Sequence, residues 1–284
     1  MLSNFKTSPS QHLLSQVLVP DTTYKQIDHI ALAVYDIDQA AALFADAFQL
    51  DLVMGLSYPP DGVHTNLVLS LGPQNELELM APIGEKGFLT DFLKKHGEGF
   101  HHLALEVTDI DQATRHLEEK GVRIFGETTH KGMRFTFLHP SSTLRAGMQL
   151  VQRKPQKSAH NPMIKRLDHI AIGINSVEKG RDFFLSKLGA KRIASDRDER
   201  FNCRYDRFVA GDARFDLLYD FQHNSSGGIP EGVHHLALEV GNLSESIRQL
   251  EHFGIKPLDE WSDAKTIFLP PDKMYGCLWE LSQL

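Results

Sequence analysis

A short strand motif recurs four times along the chain and limits its fold more than any other feature. The copies read Asp28-His29-Ile30-Ala31-Leu32-Ala33-Val34, His101-His102-Leu103-Ala104-Leu105-Glu106-Val107, Asp168-His169-Ile170-Ala171-Ile172-Gly173-Ile174 and His234-His235-Leu236-Ala237-Leu238-Glu239-Val240. Side chains alternate across a strand, so the second-position His and the Ala two residues later share one face while the aliphatics share the other. The aliphatic face suits a packed helix. The opposite face, one His followed by small residues, predicts open space for a ligand.

Each copy heads a longer unit. In the first, Asp36 or Asp38 is expected to cap a helix carrying Ala40, Ala41, Phe44 and Phe48, with strands at 65–71 and 76–80 around a Gly72-Pro73 turn. A joining helix at 88–95 ends at Gly97. The second unit has a helix from Asp109 or Asp111, a stop at Gly121 and strands at 134–138 and 148–151. The third has a Ser176-capped helix stopped at Gly189 and a strand at 214–219. In the fourth, a helix runs from Ser244 to Gly254, before strands at 266–269 and 277–281. Four βαβββ-like units in tandem make an α+β repeat fold. One unit cannot bury both of its faces, so units pair, and 284 residues accommodate two such pairs. The expected organisation is an N-terminal arm (1–24, with a short helix at 11–17), a first domain (25–152), a Pro- and Lys-containing linker (153–163) and a second domain (164–284).

Composition narrows the partners. The hydrophobic content of 41% with 24% charged residues is that of a globular chain. A net charge of −7 without a basic stripe argues against nucleic acid. No apolar run has the length of a membrane span, and the first 20 residues lack the pattern of a signal peptide. Two cysteines, Cys203 and Cys277, make neither a disulfide framework nor a metal-type pair. The expectation is a cytoplasmic protein with a small-molecule substrate, no nucleic acid and no membrane partner; whether it forms a homodimer stays open.

The last strand of each unit carries a polar residue between aliphatics: Glu78, Gln149, Asp216 and Glu280. These follow the four histidines His29, His102, His169 and His235 by 49, 47, 47 and 45 residues, so the slot is fixed relative to the His. Burying a carboxylate among apolar neighbours is costly unless it is paired or ligates a metal. Imidazole with carboxylate or amide oxygen suits a divalent metal ion such as Zn, Mn, Co, Ni or Fe. Asp28, His101, Asp168 and His234 have the opposite strand parity and are expected to make structural hydrogen bonds. Glu106 and Glu239 lie on the His face about 13 Å along, within reach of a substrate but not of the metal.

At these residues the sequence resembles the vicinal oxygen chelate superfamily of glyoxalases, bleomycin resistance proteins, epimerases and extradiol dioxygenases, across nearly all of 27–281. The resemblance implies two half-barrel domains, each made by pairing two βαβββ units around a metal. His29, Glu78, His102 and Gln149 would serve the first and His169, Asp216, His235 and Glu280 the second. The first half, with Glu78-Leu79-Met80-Ala81-Pro82, Gly97-Glu98-Gly99-Phe100-His101-His102 and Phe137-Leu138-His139-Pro140, is most similar to methylmalonyl-CoA epimerases. It departs from them in ending on Gln149-Leu150, and in having no Glu around 56–61.

The leading expectation is a metal-dependent isomerase or epimerase that acts on a small carbonyl compound through a metal-stabilised enolate, with Glu280 and Glu78 as candidate bases. Three alternatives stand beside it: a glyoxalase I-like lyase; an Fe(II)-dependent dioxygenase using His169, His235 and Glu280; and a non-catalytic binding or resistance protein. If units one and four paired instead of neighbours, His29, Glu78, His235 and Glu280 would share a site. The short connections favour sequential pairing.

Overall fold

The computed structural model of the chain describes residues 23–59, 61–130, 132–154, 161–220 and 231–283. The expected helix at 11–17, nearly all of the arm, the middle of the 153–163 linker and most of the loop at 223–232 lie outside these residues. The first half runs β1 (Tyr24–Ala33), α1 (Ile37–Ala47), β2 (Leu52–Ser57), β3 (His64–Ser70), β4 (Glu76–Pro82), α2 (Phe88–His96), β5 (Gly99–Val107), α3 (Ile110–Glu119), β6 (Ile124–His130), β7 (Met133–Leu138) and β8 (Met148–Gln152). The second begins with β9 (Ile164–Gly173) and α4 (Val177–Arg181), which continues as a π-helical stretch (Asp182–Lys187), then β10 (Lys191–Asp198), β11 (Cys203–Ala210) and β12 (Ala213–Tyr219). It ends with β13 (Gly232–Val240), α5 (Leu243–His252), β14 (Thr266–Leu269) and β15 (Leu278–Ser282).

Local chemistry sets the helix starts. Asp36, Asp109, Ser176 and Asn242 each accept a backbone amide three residues on, satisfying a donor that the first helical turn leaves free. Asp36 and Asp109 are therefore the caps rather than Asp38 and Asp111, and Asn242 rather than Ser244 opens the last helix.

The strands form two mixed, curled half-barrel sheets, ordered β2-β3-β4-β1-β5-β8-β7-β6 and β10-β11-β12-β9-β13-β15-β14. Units one and two share the first sheet and units three and four the second, so pairing is sequential and the set drawn from units one and four does not form. Each unit's first strand runs parallel to its last, in β1·β4, β5·β8, β9·β12 and β13·β15. The fourth unit has one strand fewer than the others, because 255–265 passes from α5 to β14 without forming a strand.

The aliphatic faces and helices of both sheets merge into one core. Trp279 of β15 is fully buried, with ring centroids 5.5 Å from Phe44 and 5.7 Å from Phe48, both aromatics of the α1 segment. Two buried asparagines also join the halves. Asn75 donates to Ile27 O at 2.6 Å and accepts from Leu167 N, and Asn161 donates to Gln49 O at 2.9 Å while accepting from Met163 and Ile164. Gly276 sits at φ +74° with the Glu98 carbonyl where a Cβ would stand, so the turn before β15 requires glycine.

The space above the small residues of the His faces is largely filled. Met80 and the α2 residues Leu89 and Leu93 pack on Ala31 and Ala33, and Cys203 and Leu218 pack on Ala171. Small residues there admit apolar cover, which gains burial, and the open part of each face shrinks to the surroundings of the histidines.

Truncating Trp279 should loosen both halves together. We expect Trp279→Ala to cost about 3–5 kcal/mol in urea unfolding, with fluorescence and circular dichroism still reporting coincident transitions.

Candidate functional site

Register builds each site in two rows across four strands. In the first sheet, Glu78 on β4 lies opposite Ala31 of β1, which lies opposite His102 of β5. The second row runs from His29 through Ala104 to Gln149 on β8. The second sheet repeats this as Asp216–Ala171–His235 and His169–Ala237–Glu280. Neighbouring strands are about 4.8 Å apart, and a central Ala in each row lets the flanking His and polar side chains lean toward one another.

In the first half this brings His29, Glu78 and His102 together. His29 Nε2 is 3.3 Å from His102 Nε2 and 3.6 Å from Glu78 Oε2, and His102 Nε2 is 3.7 Å from the same oxygen. Donors held about 2.1 Å from one ion lie roughly 3–3.5 Å apart, so these three atoms are close to a coordinating spacing. The side chains of His29 and Glu78 keep 14% and 12% of their surface accessible. Asn66 Nδ2 donates to Glu78 Oε1 at 2.6 Å, leaving Oε2 turned to the imidazoles. Gln149 is buried at its row position on β8.

The residue before each His fixes its tautomer. His29 Nδ1 donates to Asp28 Oδ1 at 2.6 Å, and the fully buried Asp28 is ion-paired with Arg153 Nε at 2.6 Å. Burial pulls the His29 pKa down, but the hydrogen bond and charge of Asp28, with the charge of Glu78, outweigh it and leave the group above its usual value. His102 is held differently, its Nδ1 lying 2.9 Å from Nδ1 of His101. Burial, reinforced by His101 and His29, keeps His102 well below the usual imidazole range, and burial with nearby His64 lowers His101 to about 4. Both rings are then neutral. With Nε2 of His102 turned to the site as a lone pair, its Nδ1–H donates to His101.

The second half keeps the plan and changes the surroundings. His169, His235 and Glu280 converge, with His235 Nε2 3.3 Å from Glu280 Oε2. Asp168 backs His169 at 3.0 Å and is itself paired with Arg166 and Arg214, while His234 backs His235 at 2.7 Å. Asp216 is within 3.4 Å of His169 Nε2, yet Arg207 holds both of its oxygens at 2.6 Å, so most of its charge is already engaged. Although burial alone raises the Glu280 carboxyl, the hydrogen bond and charge of His235, the charge of His169 and that of Arg200 bring it below its usual value. All three converging residues are buried. Phe201 packs on the His234–His235 pair, its ring 4.8 Å from His234 and 5.5 Å from His235, with Trp261 and Phe268 against it.

Two expectations need amending. The opposite-parity residues do make hydrogen bonds, but to the site histidines themselves: register shifts in β1, β5, β9 and β13 turn the pairs out of strict alternation. Glu106 and Glu239 are taken by Lys25, Gln26 and by Arg166, Lys165 respectively, so they brace the sheets rather than face a ligand. Arg153, Asn66, Arg207 and Phe201 carried no repeat signal and could not be read from the chain.

Comparison with known proteins bears on the family and the fold. The family model for the Glyoxalase/Bleomycin resistance protein/Dioxygenase superfamily matches at residues 28–137, and a second model of the same superfamily at 166–280. An ethylmalonyl-CoA/methylmalonyl-CoA epimerase of Cereibacter sphaeroides is 34% identical over 120 residues, covering 40% of this chain and 88% of that protein. The mitochondrial methylmalonyl-CoA epimerase of Bos taurus is 33% identical over 120 residues, 41% of this chain and 67% of its own. Among solved structures, a mutant 4-hydroxymandelate synthase from Streptomyces coelicolor superposes over 92% of this chain and 93% of its own, at a TM-score of 0.73 and 16% identity, a likeness of fold. No described helix is long and apolar enough to cross a membrane. With both halves matched and a relative covered over most of its length, the chain belongs to the Glyoxalase/Bleomycin resistance protein/Dioxygenase superfamily, with two such domains in tandem.

Proposed function

We propose that the chain is a divalent-metal-dependent epimerase of a small carbonyl compound, a CoA thioester with an acidic α-carbon, and that the first cleft is the working one. The observation that carries this is the convergence of His29 Nε2, His102 Nε2 and Glu78 Oε2 within 3.7 Å in a cleft that keeps some access to solvent. Two imidazoles and a carboxylate, with Gln149 as a fourth oxygen donor, are a fitting set for Zn, Mn, Co, Ni or Fe. The epimerases among its relatives give the substrate class.

When bound, a divalent ion supplies Lewis acidity at the substrate carbonyl oxygen. The chain's own residues do the rest. Asp28, anchored by Arg153, and His101 hold the two imidazoles in the tautomers that present Nε2. Asn66 fixes Glu78, whose two oxygens are thereby both engaged, so Glu78 acts as a ligand and the α-proton needs another acceptor.

A second reading attaches to the second cleft. With Asp216 held by Arg207, His169, His235 and Glu280 remain as two histidines and one carboxylate, the set of non-haem Fe(II) oxygenases. Oxygen uptake dependent on iron and lost in His235→Ala would favour it.

Three measurements test the proposal. Incubated in D2O with methylmalonyl-CoA and a divalent ion, the protein should exchange the α-hydrogen. His29→Ala should lose exchange and bound metal from the first cleft, while His169→Ala retains exchange; an unaffected His29→Ala would refute the assignment. In chelator competition, Asp28→Ala should weaken metal binding at that cleft by about 10–100-fold. Protons compete with the cation for His29 Nε2, whose pKa is raised above 6.5, so affinity should fall as pH drops through a range beginning above that value.

A further inference from the structure

Near the first cleft lies a buried imidazole that the converging ligand set does not use. His64 opens β3, two residues before Asn66, so the two side chains share a sheet face, and Asn66 reaches Glu78 at 2.6 Å. At the rise of a strand, His64 stands about 6.6 Å along that face from Asn66. Its side chain is only 9% exposed, and its Nδ1 is 3.0 Å from Asp61 Oδ2. Phe88 flanks it at 5.2 Å between ring centroids and also touches His101 at 5.6 Å.

This pair is private to the first cleft. The matching strand of the second half, β11, opens with Cys203, a buried thiol pushed up to about 12 by burial, and the turn before it places Phe201 over the histidines. The Asp61 carboxylate stands beside His64 Nδ1, a buried nitrogen with no hydrogen-bond partner among the described residues. An imidazole beside a carboxylate is a common arrangement for a general base.

We propose that His64, standing beside Asp61, is the base that removes the α-proton of the thioester in the first cleft, an assignment that rests on the epimerase reading above. The α-C–H bond breaks, its proton passes to Nε2, and its electron pair moves into the C–C bond of an enolate with charge on the carbonyl oxygen. A solvent proton then adds to the opposite face of the carbon as the imidazolium proton leaves to solvent, so atoms and charge balance.

The test measures α-hydrogen exchange of methylmalonyl-CoA in D2O alongside metal content, in the parent, His64→Gln and Asp61→Asn. We expect His64→Gln to keep its metal and lose at least about 100-fold in exchange, with a smaller loss for the exposed-side variant Asp61→Asn. Added imidazole should restore part of the exchange to His64→Gly. Parent-like exchange in His64→Gln overturns the assignment, as does loss of metal in step with activity, which would make His64 a support of the ligand shell. A metal-loaded parent that exchanges nothing overturns the epimerase reading itself, a result distinct from either of these.

Discussion

Everything in the two clefts depends on the register between each unit's first and last strands. Because β1·β4, β5·β8, β9·β12 and β13·β15 pair in parallel with the polar residue opposite the Ala two positions after the His, a single alignment is used four times. A slip of one residue would turn the polar group to the aliphatic face and the leucines beside it toward the histidines. The antiparallel pairing of the two first strands then sets each His across from the other strand's Ala, and a pair of rows becomes a closed group of donors.

On that shared frame the clefts have diverged by substitutions outside the repeat. Where the first half has Val68 opposite Glu78, the second has Arg207 opposite Asp216. Exchanging an apolar neighbour for a guanidinium replaces a carboxylate held through one oxygen by Asn66 with half of a bidentate ion pair. Phe201, with Trp261 against it, covers the His234–His235 pair, where Phe88 and Phe92 pack on His101 and Phe137 on His102 in the first half. The same backbone thus offers one accessible donor set and one enclosed set.

The parts of this organisation that were legible in the chain are those that repeat. The four motifs, their spacing to the polar slots and the helix caps are local signals that duplication presents more than once, and they located the units and the positions of all eight candidate residues. What escaped notice was non-local or lacked alternation. The edge strands β2, β6 and β10 are largely exposed and show no clean period, and β11 is rich in charge because its Asp206 pairs with Arg181 and its Arg207 with Asp216. The backing of His29 by Asp28 and Arg153 joins positions more than a hundred residues apart, and only the folded register brings them together. The cover that α2 lays over Ala31 and Ala33 was invisible for a related reason: small residues read equally well as ligand space and as a seat for leucine.

The single core running through Trp279, Phe44 and the helices of both halves gives the second cleft a reason to persist apart from chemistry. A ligand that binds only the folded state stabilises the whole cooperative unit by RT ln(1 + [L]/Kd), wherever in that unit it binds. An ion gripped by His169, His235 and Glu280 would therefore hold the first cleft together as effectively as one bound there. Selection can retain the enclosed set as a thermodynamic clamp for its neighbour, with no turnover of its own.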